Sequence, residues 1–269
     1  PQNSRCRFGA LSVVATYVSA TTVQCVSPAL ASNQEQIVLM SASSNSGFDF
    51  SVPHLQFRYL PDVVVTSLAP AAGPQQGRTL VSVLGSGYVD SSALKCKFGE
   101  LVVDATFVSS TVVNCTAPAQ PAGAIALEVS SNTVQFSSSN ITYVYLQPVS
   151  VLFITPSVGP TSGGTNTTVI GVGLVPGSTC RFGDLAALDA VWVSYTELVC
   201  VSPPTTRGTY TIEVTSNLQD YTEDRVEFEF VGLPTVESVA PVLGPTVGGV
   251  LIQVAGTNWL KPRPRRGTL

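Results

Sequence analysis

Six cysteines are the residues of this chain best suited to chemistry, and their surroundings decide which chemistry it is. They stand as Cys6 and Cys25, Cys96 and Cys115, Cys180 and Cys200. Each pair bounds about 20 residues, with no Cys-x-x-Cys spacing and no histidine nearby to complete a zinc site. The pattern predicts three disulfides, Cys6 with Cys25, Cys96 with Cys115 and Cys180 with Cys200, and with them an oxidising compartment. Buried free thiols in a cytosolic protein are the alternative. A closed loop of this length stabilises by roughly 3 kcal/mol in the chain-entropy model.

Other candidate chemistry is sparse. His54 is the only histidine and opens HLQFRY, which aligns with NITYVY at 140 and RVEFEF at 225, so it shares a position with Asn140 and Arg225. A site that accepts all three is a solvated edge and not a catalytic base. GVGLVPG at 171 and LGSGYVD at 84 stop short of a dinucleotide loop and predict turns in which glycine relieves a positive φ. Asp220, Glu223 and Asp224 in QDYTED carry enough oxygens for calcium. The parallel stretches FDF and TVQFSSS do not, which favours a solvated turn. The basic tail KPRPRR could touch phosphate or acidic glycans, but its alternating prolines read as an extended segment. The expectation is no catalytic residue, no metal and no cofactor.

The cysteines sit in a repeat. CRFGALSVVATYVSATTVQCVSP at 6 returns as CKFGELVVDATFVSSTVVNCTAP at 96 and as CRFGDLAALDAVWVSYTELVCVSP at 180, and Gly-Pro recurs at 73, 159 and 244. A period of about 85 residues suits whole domains, each with its own core. The predicted boundaries are 1–60 (lacking its beginning), 61–146, 147–231, and a partial copy at 232–269 whose tail departs from the pattern where a cysteine is due.

Composition supports the division. At 44% apolar and 11% charged, the chain has ample core material. Val, Thr and Ser dominate over helix formers, so strands are favoured. TLVSVL, LVVDATFV and IALEV read as strands between short turns, and in RVEFEF Val226, Phe228 and Phe230 alternate with Arg225, Glu227 and Glu229. The fold class is all-β, a tandem of immunoglobulin-like sandwiches of seven-stranded type with Phe98 and Phe182 buried at matching positions. The junctions carry Pro61, Pro148 and Pro234 with no Gly/Ser spacer, which predicts a stiff, elongated row. The formal charge is −4, and with four basic residues in the last nine positions the body is more acidic still. Such a body argues against nucleic acid, and no apolar run is long enough for a membrane span.

VSVLGSGYVD followed by Cys-x-Phe-Gly and a Cys-x-x-Pro, preceded by PSVGPTSGG, resembles the IPT/TIG domain of plexin and hepatocyte growth factor receptor ectodomains, fibrocystin-like proteins and some transcription factors. In the third copy Pro156, Gly159, Pro160, Gly163, Gly164, Gly171, Gly173, Cys180, Phe182, Gly183, Cys200 and Pro203 fit that pattern; the second lacks one of the paired glycines at Gln75-Gln76-Gly77. The resemblance implies a non-enzymatic extracellular or cell-surface protein. The leading expectation is a structural or adhesive glycoprotein, part of a filament or surface assembly, whose partners are other proteins or copies of itself. A plexin-like receptor ectodomain and an accessory region of a secreted carbohydrate-active enzyme are the alternatives. N-linked glycans are expected at the sequons, in the order Asn140, Asn166, Asn114, since alternation turns Asn140 and Thr142 outward.

Overall fold

The structure, a computed structural model, describes residues 4–52 and 54–259, and every regular element among them is a β-strand. Lys261, Arg263, Arg265 and Arg266 of the basic tail lie outside the described residues. The chain divides into two compact units, Pro1–Ala71 with Gly77–Val144, and Ala72–Gln76 with Tyr145–Leu269.

In the first unit, the first repeat forms a sheet in the order Leu11–Val14, Arg5–Phe8, Gln36–Ser43, Leu55–Tyr59, beside the hairpin Thr16–Ser19 and Thr22–Gln24. The second repeat runs in the order Val64–Ala69, Leu80–Ser86, Val112–Thr116, Leu101–Ser109, Lys95–Phe98, Gly123–Ser130, Thr142–Leu146. Leu101–Ser109 belongs to both of its layers. Leu101 to Asp104 pair with Lys95–Phe98, and Ala105 to Ser109 pair with Val112–Thr116. Val81, Val83, Cys96, Phe98, Val113, Leu127, Val129 and Tyr143 are fully buried, each two residues from the next inward position of its strand.

In the second unit, Ser150–Thr155, Asn166–Val172, Glu197–Val201 and Val191–Ser194 form a first sheet in the order 150, 166, 197, 191. A second sheet holds Val158–Pro160, Val226–Val231, Gly208–Thr215, Thr179–Phe182 and Leu188–Asp189. The nine strands exceed the seven expected because Pro156, which has no N–H to donate, splits the first strand, and because the two-residue strand Leu188–Asp189 pairs at the edge. Val151, Val169, Leu174, Cys180, Phe182, Leu198, Cys200, Ile212, Phe228 and Phe230 make one core. The partial fourth repeat contributes a ribbon of Thr235–Ala240 with Gln253–Thr257.

The Gly-x-Gly motifs do two jobs, of which relief of a positive φ is only one. A β-bulge interrupts the pairing of the first strand at Val65/Ser67, Val151/Phe153 and Val236/Ser238. Opposite each bulge stands the first glycine of the motif. A Cβ there would lie 2.0 Å from the Val64 carbonyl oxygen at Gly85, 2.3 Å from that of Ser150 at Gly171, and 1.7 Å from that of Thr235 at Gly256. Space alone excludes a side chain, since none of these three has a positive φ. Positive φ belongs to the second position, Gly87 at 79°, Gly173 at 71° and Asn258 at 60°.

The missing glycine of the second repeat leaves the backbone unchanged. Arg78 takes φ 73° where Gly164 takes 81° and Gly249 takes 86°, and its amide still reaches the Ala117 carbonyl at 2.8 Å, as Gly164 reaches Ser202. A side chain in this left-handed region carries a conformational cost that glycine avoids. Arg78→Gly should therefore stabilise the chain by about 0.5–1 kcal/mol after the added unfolded-state entropy, read as a higher urea midpoint at unchanged slope. Gly171→Ala should cost about 2–3 kcal/mol, because the clash is with backbone. Phe182→Ala should cost about 3–5 kcal/mol. A neutral Gly171→Ala would show that the strands approach less closely than described.

Candidate functional site

Each Cys-basic-Phe-Gly strand splits its side chains between the two sides of its sheet. The cysteine and phenylalanine point in. Cys6 joins Cys25, Cys96 joins Cys115 and Cys180 joins Cys200, with Cα atoms 6.2, 6.3 and 6.2 Å apart. In the third repeat the bond ties Thr179–Phe182 of one sheet to Glu197–Val201 of the other. Phe8, Phe98 and Phe182 lie two residues on and pack edge-to-face on Phe57, Tyr143 and Phe228, at ring separations of 5.1, 5.5 and 5.3 Å. Among the described residues no thiol is left free to act as a nucleophile.

The basic residue between them points out and is covered by an aromatic ring. Arg7 lies 4.1 Å from the Phe50 ring centre, Lys97 5.9 Å from Phe136, and Arg181 3.6 Å from Tyr221. In the third repeat Glu213, opposite Arg181 on the neighbouring strand, also pairs with its guanidinium. A knotted loop delivers each ring. Ser43, Ser130 and Thr215 each donate a hydroxyl hydrogen bond to the side-chain oxygen of Asn45, Asn132 and Asn217, and each hydroxyl accepts that asparagine's own amide. The same Asn oxygens then accept amides further along the loop, from Asp49, Gln135 and Asp220. Sequence reasoning missed these residues. The signal was available, since Ser-Ser-Asn, Ser-Ser-Asn and Thr-Ser-Asn recur in register with the cysteines.

Beside Arg181 a shallow groove of ≈ 420 Å³ is lined by Gly183, Asp184, Tyr210, Thr211 and Glu213. The Tyr210 hydroxyl meets Thr205 and Thr206, whose hydrogen bonds hold its phenol below the usual tyrosine range. Tyr88 is the opposite case: burial beside the Gly85–Gly87 turn pushes its phenol up to about 12, so it stays neutral at physiological pH. On the surface of the first unit, Arg58 donates two hydrogen bonds to Glu35 at 2.8 and 3.0 Å, which lowers that carboxyl.

The residues singled out in the sequence are dispersed. His54 is exposed, and its counterparts Asn140 and Arg225 hold φ 55° and 56°, a left-handed kink leading into the last strand. The QDYTED stretch is more than the solvated turn expected of it. Asp220 accepts from Asn217 at 2.6 Å, and Asp224 accepts from the Val151 amide at 2.6 Å and the Ser150 hydroxyl at 3.0 Å, pinning the first strand. Ser139 takes the corresponding Val65 amide at 2.9 Å in the second repeat. Among the described residues no three His, Cys, Asp or Glu side chains gather as a metal site. Asn140 and Asn166 are exposed, and Asn114 is half-buried, accepting from Ser82 at 2.9 Å.

The geometry is that of a bulged, disulfide-closed sandwich repeated along a chain, and comparison with known proteins gives it a family. The family model described as IPT/TIG domain matches residues 64–145 and 150–230. Human Fibrocystin-L is 24% identical over 201 residues, covering 73% of this chain and 5% of that protein. Mouse Plexin-A2 is 26% identical over 230 residues, covering 72% of this chain and 11% of that protein. The chain thus spans a small fraction of the length of the curated relatives it matches. The solved Plexin A4 full extracellular region aligns with 95% of this chain and 28% of that one, at 16% identity and a TM-score of 0.43. With two matched domains that together fill more than half of its length, the chain belongs to the IPT/TIG domain family.

Proposed function

We propose that the chain is a non-enzymatic extracellular or cell-surface segment, a row of IPT/TIG domains that acts as a stiff spacer and offers its faces to other proteins or to further copies of itself. The observation that carries this reading is that every complete Cys-to-Cys repeat closes its own core with a disulfide, so each module is stabilised independently of its neighbours. The domain boundaries follow the repeats, 1–60, 61–146, 147–231 and 232–269, and the proline at each junction (Pro61, Pro148, Pro234) restricts the swing between modules. Membership of a family shared with Fibrocystin-L and plexins supports an extracellular location. A plexin-like receptor ectodomain is the second reading, and the match to mouse Plexin-A2 favours it to a comparable degree.

Two measurements test the proposal. A compact globule of this length has a radius of gyration of about 18 Å, so solution scattering of a stiff row must give a value well above that. A value near the globular one sinks the spacer. Replacing Cys180 and Cys200 together by alanine should cost about 2–5 kcal/mol, and dithiothreitol should lower the thermal midpoint of the native chain but leave the triple cysteine-pair variant unmoved. Six free thiols in the natively expressed protein would exclude an oxidising compartment and with it the extracellular assignment.

A further inference from the structure

The two sheets of the third repeat present different outer faces to solvent. The second sheet is charged there, with Arg181, Glu213, Glu227 and Glu229. The first sheet is largely apolar, although Glu197 faces out opposite Ile170. Along Asn166–Val172 the residues Thr167, Val169 and Gly171 are buried, so Asn166, Thr168, Ile170 and Val172 face out. Cross-strand pairing sets Val201 opposite Asn166, Val199 opposite Thr168, and Val191 beyond Val199, while Phe153 faces Ile170 from the other side. Val191, Phe153 and Val201 are 64%, 54% and 44% exposed. A run of exposed apolar side chains on one sheet face marks a surface that something else covers.

The face contains its own attachment point. Asn166-Thr167-Thr168 is a sequon whose asparagine and hydroxyl residue both lie on this face, one strand away from Val201 and Val199. The second repeat places its sequon on the corresponding face. Asn114 stands between Ser82 and Thr106 with Leu84 and Val112 one rung away, and Ser82 donates to its Oδ1, which leaves Nδ2 as the acceptor atom. We propose that an N-glycan on Asn166 covers the apolar outer face of the first sheet of the third repeat, and that Asn114 marks the same arrangement in the second. The inference rests on the extracellular reading. In the transfer, Asn166 Nδ2 bonds to the anomeric carbon of a lipid-diphosphate-linked oligosaccharide, the carbon–oxygen bond to the diphosphate breaks, the diphosphate leaves with the electron pair, and the amide proton passes to the transferase. The apolar faces of the sugar rings then lie over Val199, Val201 and Val191. Asn140, by contrast, leads into Thr142–Leu146, which pairs with Gly123–Ser130 and not with the strands on either side of Asn114.

The test uses the whole chain behind a secretion signal in human cells, with glycosylation occupancy read by peptide mass after enzymatic release in ¹⁸O-water. Material retained in the endoplasmic reticulum is read alongside the secreted pool, because transfer precedes export. Asn166 should be occupied, and Asn166→Gln should raise anilinonaphthalene sulfonate fluorescence several-fold, with Thr168→Ala doing the same and Asn140→Gln leaving it at the native level. Thr168→Ser, which keeps the sequon, should also stay native. An unoccupied Asn166 in fully disulfide-bonded protein overturns this inference alone, whereas reduced cysteines overturn the extracellular reading. Equal dye binding with and without the Asn166 glycan, or glycosylated protein that pairs with a second copy through Val191 and Phe153, also overturns it.

Discussion

The covalent and aromatic link between the two layers is the constraint from which the rest of each repeat follows. A cysteine that must point inward to reach its partner across the sandwich forces the next residue outward and the one after it inward again. Cys180 and Phe182 are therefore in the core, and Arg181 is on the outer face. The turn after Phe182 is made by Gly183 at φ 56°, and the strand pair that returns carries Phe228 and Phe230 to close around the phenylalanine. Moving this strand by one residue would bury the arginine and expose the disulfide. The register is thus held by a bond that tolerates no slip.

What remains outside divides by sheet. The outer side of the second sheet carries the cation, its aromatic cover and the asparagine-knotted loop that delivers it, so polar and π contacts finish that surface within the repeat itself. Among the described residues the outer side of the first sheet has no such ring or loop over it, and Val191 and Val201 are exposed. A module with one finished and one unfinished face is suited to assemblies in which something else occupies the second.

The family gives the module and not the task. The chain is similar to proteins as different as Fibrocystin-L and the plexins, and it spans 5% of human Fibrocystin-L and 12% of human Plexin-A3. Fold and activity are separable in such modular proteins, because the domain supplies a stable body whose surfaces are varied independently. The groove beside Arg181 and the largely apolar sheet face are two such surfaces.

The sequence by itself determined the strands, the inward set and the repeat. Alternation is a property of the local backbone, so Phe98, Phe182, Phe228 and Phe230 could be assigned to the core from their spacing, and the sandwich class followed from the turns between them. Tertiary structure alone decided why Gly85 and Gly171 must be glycine, because the atom that excludes a side chain is the carbonyl oxygen of Val64 or Ser150 on a strand paired across a bulge. It decided that Arg78 sits in a left-handed conformation, held there by the Ala117 carbonyl and the shape of the turn. It also gave the exposed Asp224 its hydrogen bond from the Val151 amide, some seventy residues away in sequence. In each case the deciding contact joins residues far apart in the chain, and a pattern read along the backbone carries no record of which distant strand will arrive or how closely.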